Sequence, residues 1–237
     1  MGLLDDARLA RRHHRACGAR AARRVHGVPP ARDPGAAGGG RSRAERGRLV
    51  AAFGAGWNQE EFRAFGLPFD HHVSRFEEAF TIIRGLLAGE RVSFEGQFHT
   101  VNDAVIFPPL DRKPKLMVGA NAPRMLSITL PYVDAWNTWF TPYGNTVEGF
   151  AKHNAEISAA AERAGRDPAE IERSACVLVE VDGGTGERPR DVPAVPADRL
   201  AAHLRGLEQA GAEEAILVLD PITESSIRSL GIDRSAV

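Results

Sequence analysis

Five strand-type runs, each followed by a helical pattern, constrain this chain more than any other feature. They are residues 48–54, Leu116-Met117-Val118, Val133–Trp139, Ala175–Val179 and Ala215–Leu219. Their apolar residues are largely continuous rather than alternating. A strand with one wet face alternates, whereas a strand covered on both faces does not. Such strands separated by helices predict an α/β fold with a parallel sheet and helices on both sides. The spacing fits a (β/α)8 TIM-barrel type, but a closed barrel of that type needs eight strands. The expected fold is therefore an incomplete barrel preceded by an irregular segment.

The helical patterns are legible between these strands. Phe76, Phe80, Ile83 and Leu87 recur at helical spacing, which predicts a helix over 74–88 with Gly89 as its C′ glycine. Val92 and Phe94, then Phe98 and Val101, flank Glu95-Gly96-Gln97 and predict a small hairpin. A helix begins near Pro123, where proline suits a first turn. Phe150, Ile157 and Ala161 mark a helix over 146–164, and Leu200, Leu204 and Leu207 one over 197–210. The stretch 183–196 reads as a Pro/Gly-rich loop, and 223–230 as a last short helix.

Residues 1–47 break this regularity. Ala, Arg and Gly dominate, with no sustained period in the apolar positions. Residues 1–48 hold 12 Arg, no Lys and four acids, a net of +8, against −9 for the remainder. Such a stretch hardly buries enough surface to offset its ordering entropy. The expected division is 1–47, an irregular segment, and 48–237, the barrel domain. Whole-chain charge is −1, which gives no strong pull toward nucleic acid or membrane. The arginines of the head invite a nucleic-acid reading, but aromatic interleaving is missing. Cys17 and Cys176 form no metal or disulfide spacing, so a reducing cytoplasm is the default. No apolar run approaches a membrane span of roughly 18 residues.

Two strand-to-helix turns carry the candidate chemistry. Gly54-Ala55-Gly56-Trp57-Asn58 follows the first strand, and its glycines let a ligand approach the backbone. Gly119-Ala120-Asn121-Ala122-Pro123-Arg124 follows the second, with amides at a helix start and Arg124 as a possible anion contact. Each also has a plain reading as an ordinary turn.

Four pieces resemble one family, in its order and at about its spacing. They are Gly47-Arg48-Leu49-Val50 with Gly54–Asn58; Phe65-Gly66-Leu67-Pro68-Phe69-Asp70 with Arg75-Phe76-Glu77-Glu78; Val118–Arg124; and Asp134-Ala135-Trp136-Asn137. From Gly47 onward the chain is similar to the luciferase-like monooxygenase superfamily, flavin- or coenzyme F420-dependent oxidoreductases on a (β/α)8 barrel. The resemblance implies that the five strands are the fourth to eighth, an N-terminally truncated barrel. It implies hydride transfer or monooxygenation of a small organic substrate, with FMN or F420 as cofactor, undecided between the two. The rival expectation is a catalytically inactive remnant. An open sheet edge implies self-association as a homo-oligomer. A codon set for Arg32-Asp33-Pro34-Gly35, read one base later, begins Ala-Ile-Leu, a family-like segment; this suggests that residues 1–46 are largely out-of-frame translation.

The resemblance assigns cofactor contacts to Gly54, Gly56, Asn58, Gly119, Ala120, Asn121, Arg124 and Trp136. The family often has a second glycine where Ala120 or Ala122 stands. Asn58 both donates and accepts, which suits a ring edge. Trp57 either packs on the ring or fills core, and core is the favoured reading. Trp136 is expected at the pocket base, and Asp134 is as readily structural. His71 and His72 follow Asp70, but adjacent residues diverge on a helix and a fourth ligand is missing. Surface or capping roles are expected for them, and no metal. Cys176 reads as a buried strand residue. No catalytic acid or base is assigned.

Overall fold

The computed structural model describes residues 49–184 and 191–232. The expectations for residues 1–47 lie outside them. The chain divides into two compact units. Among the described residues, one holds 49–118 and the other 119–184 with 191–232.

In the first unit, β1 (Val50–Phe53) pairs in parallel with β4 (Lys115–Val118), Val50 opposite Lys115 and Phe53 opposite Val118. Between them lie α1 (Gln59–Ala64), α2 (His72–Leu87) and an antiparallel hairpin, β2 (Val92–Glu95) with β3 (Thr100–Ala104). Helix α2 buries Phe76, Ala79, Phe80 and Ile82. The buried stripe falls on Ile82, while Ile83, the residue the spacing selects, is only half-buried. Phe80 meets Phe53 edge-on at 5.6 Å and Phe76 in a stack at the same distance. Each such phenyl group contributes roughly 1.5–3 kcal/mol by burial. Gly89 takes φ +82 just past the helix, as the sequence predicts.

The hairpin is anchored to α2 by one carboxylate. Glu78 accepts from the backbone N–H groups of Gln97, Phe98 and His99 at 2.8–2.9 Å. Gly96 is required there: a Cβ would sit 2.5 Å from the Glu78 carboxyl. Arg75 donates to Asp70 and lies 4.4 Å over the Phe98 ring.

In the second unit, β6 (Glu172–Glu180) is the central strand. Strand β8 (Glu214–Asp220) pairs in parallel along it from Ser174 to Glu180. The other edge is shared end to end by β5 (Ala135–Thr138), opposite Glu172 to Ala175, and β7 (Val195–Pro196), opposite Val179 and Glu180. Side chains fill the interval. Tyr143 Oη donates to the Cys176 carbonyl at 2.8 Å. Asn145 accepts from the Leu178 N–H at 3.1 Å and donates to the carbonyls of Leu178 and Pro193, both at 2.9 Å. Its amide stands in for a strand. Burial pushes the Tyr143 phenol above its usual range, with Cys176 adding to the shift, so it remains a donor.

Helices α3 (Pro123–Thr129), α4 (Val147–Arg163), α5 (Leu200–Gln209) and α6 (Glu224–Ile232) complete this unit. Phe150, Ile157 and Ala161 are the buried stripe of α4, as their spacing predicts. The first turn of α4 passes so close to the Tyr143 carbonyl that a Cβ at Gly149 would overlap it. At the N-terminal end of β6, buried Arg173 donates to Asn154 Oδ1 at 2.7 Å, and Asn154 donates to the Ala210 carbonyl at 2.9 Å. Burial lowers the Arg173 guanidinium from its usual range, offset in part by Glu213.

The expected strands and helices are therefore present with shifted ends. The strand over 133–139 contracts to Ala135–Thr138, and that over 175–179 extends to Glu172–Glu180. The helix over 197–210 opens with a 3-10 turn, Ala197–Arg199. Among the described residues no eight-strand ring closes: β1 pairs with β4, and β8 with β6.

Candidate functional site

Both candidate turns begin where a parallel strand ends. Gly54 directly follows β1 and Gly119 directly follows β4. The carboxyl ends of strands are where (β/α) folds place chemistry. The N-terminal end of β8 holds instead a groove of about 480 Å³, bordered by Leu204, Leu207, Glu208 and Glu213. That groove lies at the end of the fold given to stability, beside the Arg173–Asn154 anchor.

In the first unit, Gly54 and Gly56 are exposed, and Gly56 takes φ +80, a conformation that favours glycine. Asn58 caps α1: its Oδ1 accepts from the N–H groups of Glu60 and Glu61 at 3.1 and 3.4 Å. That oxygen is committed, which leaves Nδ2 as the polar atom available to a ligand. The core reading of Trp57 is overturned, since the side chain is 86 % exposed. The turn at Gly56 swings it away from the apolar cluster of Phe53, Phe76 and Phe80. His71 occupies the N-cap position of α2 at φ +50 without a capping side-chain bond, and His72 stacks on Phe69 at 4.9 Å.

In the second unit, Gly119, Ala120, Asn121 and Trp136 form one connected group. Trp136 is fully buried. Its Nε1 donates to the Ala120 carbonyl at 2.9 Å. The structure thus places it beneath the turn rather than on a ligand-facing surface. Arg124 is exposed on the first turn of α3. Asp134 gives its carbonyl to the Glu172 N–H and so belongs to the sheet. Cys176 is buried in β6.

Sequence reasoning missed two residues here. His153 Nε2 lies 3.0 Å from Asn121 Oδ1, and His153 Nδ1 lies 3.1 Å from Glu156 Oε2. The ring meets Trp136 edge-on at 5.2 Å. The signal was present: His153 is three residues after Phe150 and four before Ile157, so it borders the buried stripe of α4, with Glu156 one turn on. The Ala120 carbonyl and the Asn121 side-chain oxygen are thus both occupied from below. Asn121 Nδ2 takes no partner among the described residues, so the turn retains a donor suited to an anionic or carbonyl oxygen.

The model of one family, luciferase-like monooxygenase, matches residues 43–214. The chain belongs to this family. Among curated relatives, a phthiodiolone/phenolphthiodiolone dimycocerosates ketoreductase of Mycobacterium bovis (strain BCG / Pasteur 1173P2) is 34% identical over 134 residues, 53% of this chain and 33% of that protein. An FMNH(2)-dependent dimethylsulfone monooxygenase of Pseudomonas putida is 31% identical over 120 residues, 48% of this chain and 32% of that protein. The matched region thus spans about a third of the length of these relatives. Among solved structures, an F420-dependent secondary alcohol dehydrogenase in complex with an F420-acetone adduct aligns with TM-score 0.66 at 16% identity, over 84% of this chain and 72% of that one. That likeness establishes the fold: a mixed α/β chain with parallel strands and barrel-type neighbours. Among the described residues of this luciferase-like chain, no helix is long and apolar enough to cross a membrane.

Proposed function

We propose that this chain is an oxidoreductase acting on a small organic substrate with a flavin or deazaflavin cofactor. The observation that carries the reading is the family match over residues 43–214, which includes both turns at strand carboxyl ends. Relatives named for FMNH2 and for F420 support this class of cofactor. When bound, the ring supplies hydride transfer or oxygen activation.

The residues present fit such a group. The Gly119–Asn121 turn offers N–H donors to a cofactor oxygen, with exposed Arg124 adding positive charge. Taken by itself, the turn of the first unit would offer a ring edge the exposed glycines Gly54 and Gly56 and the Asn58 Nδ2 donor. Trp57, exposed on the same turn, offers an aromatic face. Trp136 acts through the Ala120 carbonyl, fixing the turn rather than touching the ligand.

Titration of the full chain with FMN and with F420 by calorimetry tests the reading. Micromolar affinity for either supports it. No heat of binding with either at millimolar concentration overturns it.

A further inference from the structure

We propose that His153 is a positioning residue for Asn121, holding its carboxamide so that the turn after β4 presents hydrogen-bond donors to an acceptor oxygen of the cofactor. This rests on the reading above that the turn faces the cofactor.

Asn121 stands in a half-buried turn, where its amide has two orientations that differ by exchanging oxygen for NH2. With Oδ1 toward α4, the NH2 group faces outward. With the amide reversed, a second acceptor faces outward and repels an anionic or carbonyl oxygen. The choice is set by what lies 3.0 Å away, which is His153 Nε2. A protonated Nε2 donates, and so holds an oxygen rather than an NH2 group opposite it. Glu156 Oε2, 3.1 Å from Nδ1, fixes the ring from its other side. Hydrogen on Nε2 makes the contact with Asn121 a donation to its Oδ1. Trp136 braces the ring edge at 5.2 Å and separately occupies the Ala120 carbonyl. Two consecutive residues of the turn therefore have their oxygens engaged from below by two adjacent side chains. Asn121 Nδ2 has no partner among the described residues.

The shared chemistry of the group received is an acceptor oxygen, whether of the cofactor phosphate or of its ring. FMN and riboflavin separate the two sources, because riboflavin keeps the ring and lacks the phosphate.

The test combines a spectrum with affinities. In wild-type protein at neutral pH, a proton–nitrogen correlation of the His153 ring shows Nε2 carrying hydrogen; an unprotonated Nε2 overturns the proposal. His153→Leu weakens FMN and F420 binding about tenfold, as loss of one well-placed donor does. His153→Gln, whose amide N–H reaches the same oxygen, stays within about threefold of wild type. A merely structural role lowers thermal stability in both variants and moves both affinities together. If His153→Leu leaves riboflavin affinity unchanged, the acceptor is the phosphate; if riboflavin weakens equally, it is the ring. Wild-type affinity in folded His153→Leu overturns the proposal and leaves the functional reading standing. Wild-type chain that binds none of these ligands overturns both. Should His153→Leu not fold, Asn121→Asp keeps the oxygen toward His153 and removes the outward donors. It is expected to lose FMN and F420 affinity by about tenfold, and undiminished binding overturns the proposal.

Discussion

Trp57 and Asn145 show how far single residues depart from what their types suggest. A tryptophan after an apolar strand reads as core, yet the turn at Gly56 leaves it exposed. Trp57→Ala is therefore expected to change unfolding free energy by no more than about 0.5 kcal/mol. Urea denaturation checks this, and a loss above about 2 kcal/mol would return the residue to the core. Asn145 is the opposite case. It gives no motif in sequence, yet it is buried and binds backbone groups of Leu178 and Pro193. Its φ of +55 is one that asparagine tolerates. Asn145→Asp removes both donations and buries a carboxylate against two carbonyl oxygens. The expected cost is about 3 kcal/mol at neutral pH, read from the shift of the urea midpoint. The sequence could not show this, because Asn145 and Leu178 meet only once β5 and β6 are paired.

At the scale of elements, the hairpin β2–β3 was legible from Val92, Phe94 and Val101 around Glu95-Gly96-Gln97, but its anchor was not. Burial alone would raise the Glu78 carboxyl, but the three N–H groups of Phe98, Gln97 and His99 outweigh it and hold the carboxyl below its usual range. The carboxylate is therefore favoured in the folded state. Its contribution is complete above the unfolded value, about 4.3 for glutamate, and is lost as pH falls through the lower folded value. Amide proton shifts of Gln97, Phe98 and His99, followed through an acid titration, are expected to move together with that lowered midpoint. In Glu78→Gln the acid step disappears. A midpoint at the ordinary glutamate value would show that the carboxylate is not held as described. The helices were more legible than their partners. The stripe Phe150, Ile157 and Ala161 was read correctly from spacing, since helical period is local. His153, on the border of that stripe, acquires meaning only from Asn121, 32 positions away.

Across the whole molecule, parallel α/β character was legible because five apolar runs alternate with helices, and β1–β4, β5–β6 and β6–β8 are parallel. The short β7 and the end-to-end sharing of one β6 edge were not, because two residues carry no period. With β8 on one side and β5, Asn145 and β7 on the other, β6 is the most fully engaged strand of its unit. The amides of Val177, Leu178 and Val179 are expected to be among the slowest to exchange in that unit. In Asn145→Ala, which also removes the acceptor of the Leu178 N–H, Leu178 is expected to exchange faster while Val177 stays protected. Equal acceleration at both would mean that the strand opens as one piece. The chain holds three tryptophans, and their distribution has an optical consequence. Trp57 is 86 % exposed in the unit of β1, while Trp136 is fully buried in the unit of β6, with Trp139 at 39 %. Indole emission shifts red in water and blue in an apolar setting. The long-wavelength edge of the spectrum, open to a soluble quencher, reports on the unit of β1. The short-wavelength edge, shielded from that quencher, reports on the unit of β6.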